Sequence, residues 1–262
     1  MGNIRRLYKV FILLFLLPAN AGWAANSAPA PLHFVGLYRF DFAGISLGAL
    51  ELGIDETADS YSMRLTVASK GIVNLFTHHT SETEAKGKRM GDLYMPQHYE
   101  SNYKTKNKPR HIEIGYDDKG AVNKEIVVPP EDRTERAEVP HSLKDGSYDP
   151  LGGLLMLMEG HQKFRAFNAK QLFEVYAAPQ AKTSLTLYNT TSPVQPYVLS
   201  RTPLAGMTDK ETKEYAKGEP PLTLYISDDA KRIPLAVSMP IYFSSVRGIL
   251  VKECEKWEEC RP

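Results

Sequence analysis

The sequence predicts a mainly β protein: a curved antiparallel sheet that forms a barrel or half-barrel, with one short buried helix. Three observations carry this. Residues 61–68 alternate strictly, with Tyr61, Met63, Leu65 and Val67 on one face and Ser62, Arg64 and Thr66 on the other, which is the period of a half-buried strand. Similar short runs recur between turn signals along most of the chain. Residues 151–158 are apolar on nearly every side and follow Asp149-Pro150, an N-cap residue and a proline suited to the first helical position.

Taken in order, residues 1–24 read as a cleaved signal peptide. Arg5, Arg6 and Lys9 precede an apolar run over 10–17, Pro18 interrupts it, and small-x-Ala sites end at Ala21 and, preferred for cleavage, Ala24. The run is far shorter than the roughly 20 residues of a membrane-spanning helix. No Cys stands at the cleavage site to take a lipid anchor, and no second long apolar run follows. The expectation is a soluble periplasmic protein with no transmembrane segment in the mature chain. Residues 25–33 are small and Pro-containing and read as a flexible mature N-terminus.

Residues 34–262 read as a single β-rich domain. Strands are expected at 34–42, 45–54 and 61–68, with turn signals at 57–60 and 86–88. Residues 92–96 close one unit. Residues 96–106 and 110–116 form a hairpin pair across Asn107-Lys108-Pro109, a turn follows at 117–120, and a strand at 121–128. Residues 129–144, with Pro129, Pro130 and Pro140, read as a surface loop. The helix at 151–158 is expected to plug the concave face of the sheet. Leu151, Leu154, Leu155 and Met158 are then candidate cavity-lining residues, and Gly152 and Gly153 leave room for another backbone or a ligand. Strands resume at 172–176, 183–188 and 196–201; residues 210–218 form a charged loop or short exposed helix; strands at 222–227, 233–239 and 241–251 close the domain.

Composition narrows the chemistry. Taking Arg5, Arg6 and Lys9 from 32 Lys and Arg leaves 29 against 31 Asp and Glu, a net charge near −2. The one basic run is Lys104, Lys106, Lys108 and Arg110. On one strand its charges would share a face and meet anionic headgroups or nucleic acid; a solvated strand face beside a turn is the preferred reading, and no nucleic-acid partner is expected. Cys254 and Cys260 are the only cysteines. In an oxidising compartment a disulfide is the default, worth about 2 kcal/mol for so short a loop. A zinc site lacks further ligands, since the tail has no His, and a redox pair is usually spaced by two residues rather than five.

No phosphate-binding glycine loop and no Gly-x-Ser-x-Gly elbow is present. His78 and His79 are adjacent, so on a strand they face opposite ways, even with Glu82 nearby; the other histidines are scattered. Asp228-Asp229 would suit Ca²⁺ or acid–base work. Their place between strands, before Lys231-Arg232, favours a structural turn. Tyr38, Tyr61 and Tyr225 would line a cavity or serve as ordinary core, and the second is preferred. No catalytic, metal or cofactor residue is assigned.

Five segments, at 40–53, 71–76, Tyr148-Asp149-Pro150-Leu151, 224–234 and 246–251, together resemble bacterial envelope proteins catalogued as domain of unknown function 3108. The resemblance spans roughly residues 34–252 and implies an exported, curved, barrel-like antiparallel domain. It implies no activity and no catalytic residue, and the cysteine pair lies beyond it. The expected function is a non-enzymatic envelope role, with a lipid-like or apolar ligand in the concave face. The alternatives are a scaffold with a filled interior that binds an envelope protein, and a hydrolase with an unrecognised constellation.

Overall fold

A computed structural model describes residues 31–69, 79–106, 108–241 and 244–260. The expected signal peptide, residues 25–30 of the expected flexible N-terminus, the 71–76 segment and His78 lie outside the described residues; Leu32 and His33, read as the end of that flexible stretch, are instead already strand.

The strands are β1 (Leu32–Phe42), β2 (Ile45–Glu56), β3 (Ser60–Ser69), β4 (Thr80–Met90), β5 (Leu93–Thr105), β6 (Lys108–Tyr116) and β7 (Val122–Val128). After α1 (His141–Lys144) and α2 (Pro150–Met158) come β8 (Lys163–Phe167), β9 (Leu172–Pro179), β10 (Thr183–Leu187) and β11 (Thr190–Ala205). Then α3 (Asp209–Tyr215) precedes β12 (Leu222–Ser227), β13 (Pro234–Ile241) and β14 (Ser244–Cys254), and a 3-10 turn spans Trp257–Cys260. The strands all belong to one 14-stranded antiparallel sheet. From β1 it runs through successive hairpins to β7; on the other side β14, β13, β12, β11, β9 and β8 follow, with β10 paired to β11 alone. The sheet is not closed: β7 and β8 are its two ends.

The segment between those ends covers both edges. Lys144 pairs with Glu125 of β7 and lies 5.3 Å from the Phe167 ring of β8. Tyr148 bridges β8, its N–H donating to the Arg165 carbonyl at 2.9 Å and its carbonyl accepting from the Phe167 N–H at 2.8 Å. Arg165 donates to the Leu143 carbonyl at 3.1 Å. The reading of 129–144 as a surface loop holds for most of its residues, which are exposed, but Arg136, Val139 and Lys144 are buried where the segment packs back on the protein, and 141–144 are helical; unpaired strand edges need such cover.

Other corrections have local physical causes. Residues 86–88 are not a turn but lie in the second half of β4, along which Thr83, Ala85, Gly87 and Arg89 are buried and alternate with exposed residues. Small inner residues are required here: a Cβ on Gly87 would stand 2.2 Å from the Met95 carbonyl oxygen and 2.7 Å from the Tyr61 ring. β5 does not stop at Pro96 but continues past it, with a register shift opposite Lys86 and Gly87, the bulge position that proline tolerates. The basic run is split by a hairpin: Lys104 lies in β5, Lys106 turns the chain at φ +50°, and Lys108 opens β6. β8 is a short edge strand with no strong alternation. The 210–218 alternative resolves as α3, started by a capping box in which Thr208 and Glu211 exchange hydrogen bonds.

Candidate functional site

The interior of the curved sheet is built around α2. Its start is as the sequence implies: Asp149 is the N-cap, Pro150 the first helical residue, and Asp149 Oδ1 accepts from the N–H groups of Leu151 (2.9 Å) and Gly152 (2.8 Å). Leu151, Leu155 and Met158 are buried in the main core, and Leu154 packs against it half-buried. Gly152 and Gly153 serve side chains rather than a second backbone. A Cβ on Gly153 would meet the Phe164 ring at 2.9 Å, and one on Gly152 would meet Asp149 Oδ2 at 3.0 Å.

Asp149 is fully buried. Burial pushes its carboxyl up to about 6, against the pull of the backbone N–H bonds. Oδ2, the Tyr61 hydroxyl and the Tyr116 hydroxyl are buried without hydrogen-bond partners among the described residues. The hydroxyls of Tyr61, Tyr99 and Tyr116 are all raised, first by burial and then by the Asp149 charge.

The other end of α2 is held by charge. Arg89 of β4, itself buried, lies 2.5 Å from Glu56 of β2 and 3.0 Å from Glu159, the residue that ends α2. The Tyr94 hydroxyl lies 3.2 Å from Glu56 and 3.0 Å from Glu159. Arg232, at the β12–β13 turn, reaches Glu159 at 3.3 Å. Burial raises the Glu56 carboxyl, opposed by Arg89 and Tyr94. These groups clamp α2 to β2, β4, β5 and the β12–β13 turn. Sequence reasoning missed them; the only local signal was Arg89 on the small-residue face of β4.

Outside the sheet, Cys254 and Cys260 form a disulfide with Cα atoms 5.8 Å apart. It folds the tail back over a second apolar cluster with Val35, Leu37 and Trp257. Since Phe34 belongs to the main core and Val35 to this one, the cluster lies on the outer face of β1. Trp257 covers Gly53, where a Cβ would approach its ring to 3.1 Å, and the Arg64 guanidinium sits 5.3 Å from the indole centre.

Asp229 makes the β12–β13 turn: Oδ1 accepts from Ser227 Oγ (2.8 Å) and from the N–H groups of Lys231 (2.9 Å) and Arg232 (3.1 Å). Asp228 pairs with Lys182 at 2.8 Å. Tyr38 is core, donating to the Pro234 carbonyl at 2.6 Å; Tyr61 is core, and Tyr225 packs against it. The His79 ring lies 6.4 Å from that of Tyr103. Among the described residues, no group of three or more His, Cys, Asp or Glu is placed to hold a metal.

Three surface concavities stand out. One of about 480 Å³ lies among β3 to β7, between Thr66, Glu82, Tyr103 and Arg110. One of about 800 Å³ lies at the β1–β2 and β13–β14 turns. One of about 420 Å³ lies between the β10–β11 hairpin and β14. None of the three is lined by Leu151, Leu154, Leu155 or Met158.

The profile of a family described as "Protein of unknown function (DUF3108)" matches residues 37–251. No curated protein matches the chain. Among solved structures, the chain is similar to a crystal structure of a β-barrel-like protein of domain of unknown function DUF1849 from Brucella abortus. The TM-score is 0.50 at 10% identity, over 87% of this chain and 98% of that one.

Proposed function

The chain belongs to the DUF3108 family, and on that footing we propose that it is an exported, non-enzymatic periplasmic protein that serves the envelope as a packed interaction module. The supporting observation is the filled interior: Leu155 is fully buried and Leu151, Met156 and Met158 nearly so. Side chains occupy the approach that the two glycines leave open. A protein that uses its concave face for an apolar ligand keeps that face concave and accessible; here α2 takes the space. The work then falls to the outer surface and the rims of the sheet.

The test is purification after export without detergent, followed by native mass spectrometry and lipid extraction. The expected result is bare protein. Lipid held one-to-one would overturn the reading in favour of ligand carriage. Crosslinking in intact cells should yield adducts through surface residues and none through Leu151 or Leu155 positions carrying a photo-crosslinker.

A further inference from the structure

One rim of the sheet gathers the β1–β2, β5–β6 and β13–β14 turns. Hydrogen-bonded pairing runs along it without a break. Val246 faces Phe42, and Phe42 faces Ile45; Gly48 faces Ser69, Ala68 faces Thr80, Thr80 faces Lys104, and Lys104 faces Pro109. Four exposed cations stand on this rim, Lys104, Lys106, Lys108 and Arg247, and none has a hydrogen-bond or ion-pair partner among the described residues. Elsewhere cations are commonly matched, as in Arg201–Glu219, Lys231–Glu253 and Lys163–Glu174.

The 800 Å³ concavity lies on this rim and is lined by Arg39, Asp41, Ser46, Ser244, Ser245 and Arg247, among others. Arg39 Nε spends itself on Asp41 at 3.1 Å, which leaves Arg247 and three serines to meet an incoming anion. Two apolar side chains project beside the charges: Ile45 is 53% exposed and Val128 51%. The opposite rim is mixed in charge: Asp59, Asp118, Asp228, Glu255 and Glu258 are exposed there, and so are Lys88, Lys119, Lys231 and Lys256, with Asp118 and Asp228 paired to Lys88 and Lys182. Charges of both signs thus alternate at that end, whereas the first rim gathers four unpaired cations, and a local positive field of this kind orients the molecule toward an anionic surface.

We propose that this rim docks on an anionic phospholipid surface, with Lys104, Lys106, Lys108 and Arg247 against the phosphates and Ile45 at the interface. The proposal rests on the reading that the outer surface, not the interior, does the work. Guanidinium and ammonium groups bind phosphate oxygens by charge-assisted hydrogen bonds. Basic residues near such a surface each contribute a factor of about five in binding, and an exposed apolar side chain adds a short insertion.

The test is sedimentation of the exported protein with phosphatidylcholine vesicles, with and without phosphatidylglycerol. Binding is expected only with phosphatidylglycerol. It should weaken when NaCl rises from about 0.05 M to about 0.5 M, which shortens the Debye length about threefold. The double variant Lys106→Glu/Arg247→Glu should bind about twentyfold more weakly or worse, with an unchanged melting temperature, since both side chains are exposed and unpartnered. Lys119→Glu/Lys256→Glu changes net charge equally on the other rim and should bind like the parent. No vesicle binding, equal binding to both vesicles, or equal loss in both doubles would overturn the docking. So would displacement by inorganic phosphate beyond that by chloride at matched ionic strength, which would make a free anion the occupant. Loss of docking in protein that carries no lipid leaves the packed-interior reading standing; lipid found inside the protein removes that reading instead.

Discussion

Asp149 combines two demands that conflict. Its Oδ1 caps α2, while its complete burial penalises the charge and moves the carboxyl to about 6. The folded protein then holds a proton that the unfolded chain, titrating near 4, releases. Stability must therefore rise as pH falls from 7 to 5, by about 1 kcal/mol from this group. His33, raised by its hydrogen bond to Asp55, acts in the same direction, as does Glu56. Glu211, held at about 2 against the penalty of burial by Arg136 and the Thr208 N–H, opposes them only in stronger acid. Asp149→Asn keeps the cap and should lose that 1 kcal/mol of pH dependence in urea unfolding at the two pH values. An unchanged slope would show that Asp149 is not the group titrating. Gly87 is a second sensitive position. Gly87→Ala places a methyl against the Met95 carbonyl and Tyr61 and should cost about 2 kcal/mol in the same assay. The cap was legible because Asp-Pro is a local signature. Arg89 was not legible as a clamp, because Glu159 lies 70 positions away.

Among the elements, α2 and the C-terminal tail hold opposite faces of the sheet. Leu155→Ala would empty part of a fully buried site and should destabilise by about 3 kcal/mol; a loss under 1 kcal/mol would mean that α2 packs loosely. The tail is a satellite. Cys260→Ser should cost about 2 kcal/mol on the loop-entropy argument, seen as faster hydrogen exchange around Trp257 and Val35 with little change in the β6–β7 hairpin. Legibility among strands follows the size of the inward residues. β3 shows itself through Tyr61 and Met63, whereas β4 presents Thr83, Ala85, Gly87 and Arg89, which carry no apolar period although they face the same core. The 129–144 segment between β7 and β8 is mostly exposed, and the burial of Arg136, Val139 and Lys144 within it leaves no local pattern because single side chains, not a periodic face, make the contacts.

For the whole molecule, the sheet curves but its edge strands, β7 and β8, do not meet, and chain from between those strands covers their edges. The mainly β class and the single short core helix were readable from periodicity and one capping signature; the gap between β7 and β8 was not, since whether two edge strands meet is set by the twist and curvature of the whole sheet rather than by any local pattern. The rim charges were visible as a basic run, but their setting appears only once Arg247 is brought to the same rim. The filled interior is the feature on which the functional proposal depends. It is tested most directly by native-state hydrogen exchange of the α2 amides from Leu154 to Met158. If α2 is part of the core, those amides exchange only through global unfolding, as slowly as Leu52 and Ile54 of β2, and lipid vesicles do not alter them. Exchange many times faster than β2, or α2 opening while the sheet stays protected, would show an interior able to admit a ligand and would contradict the packed-module account.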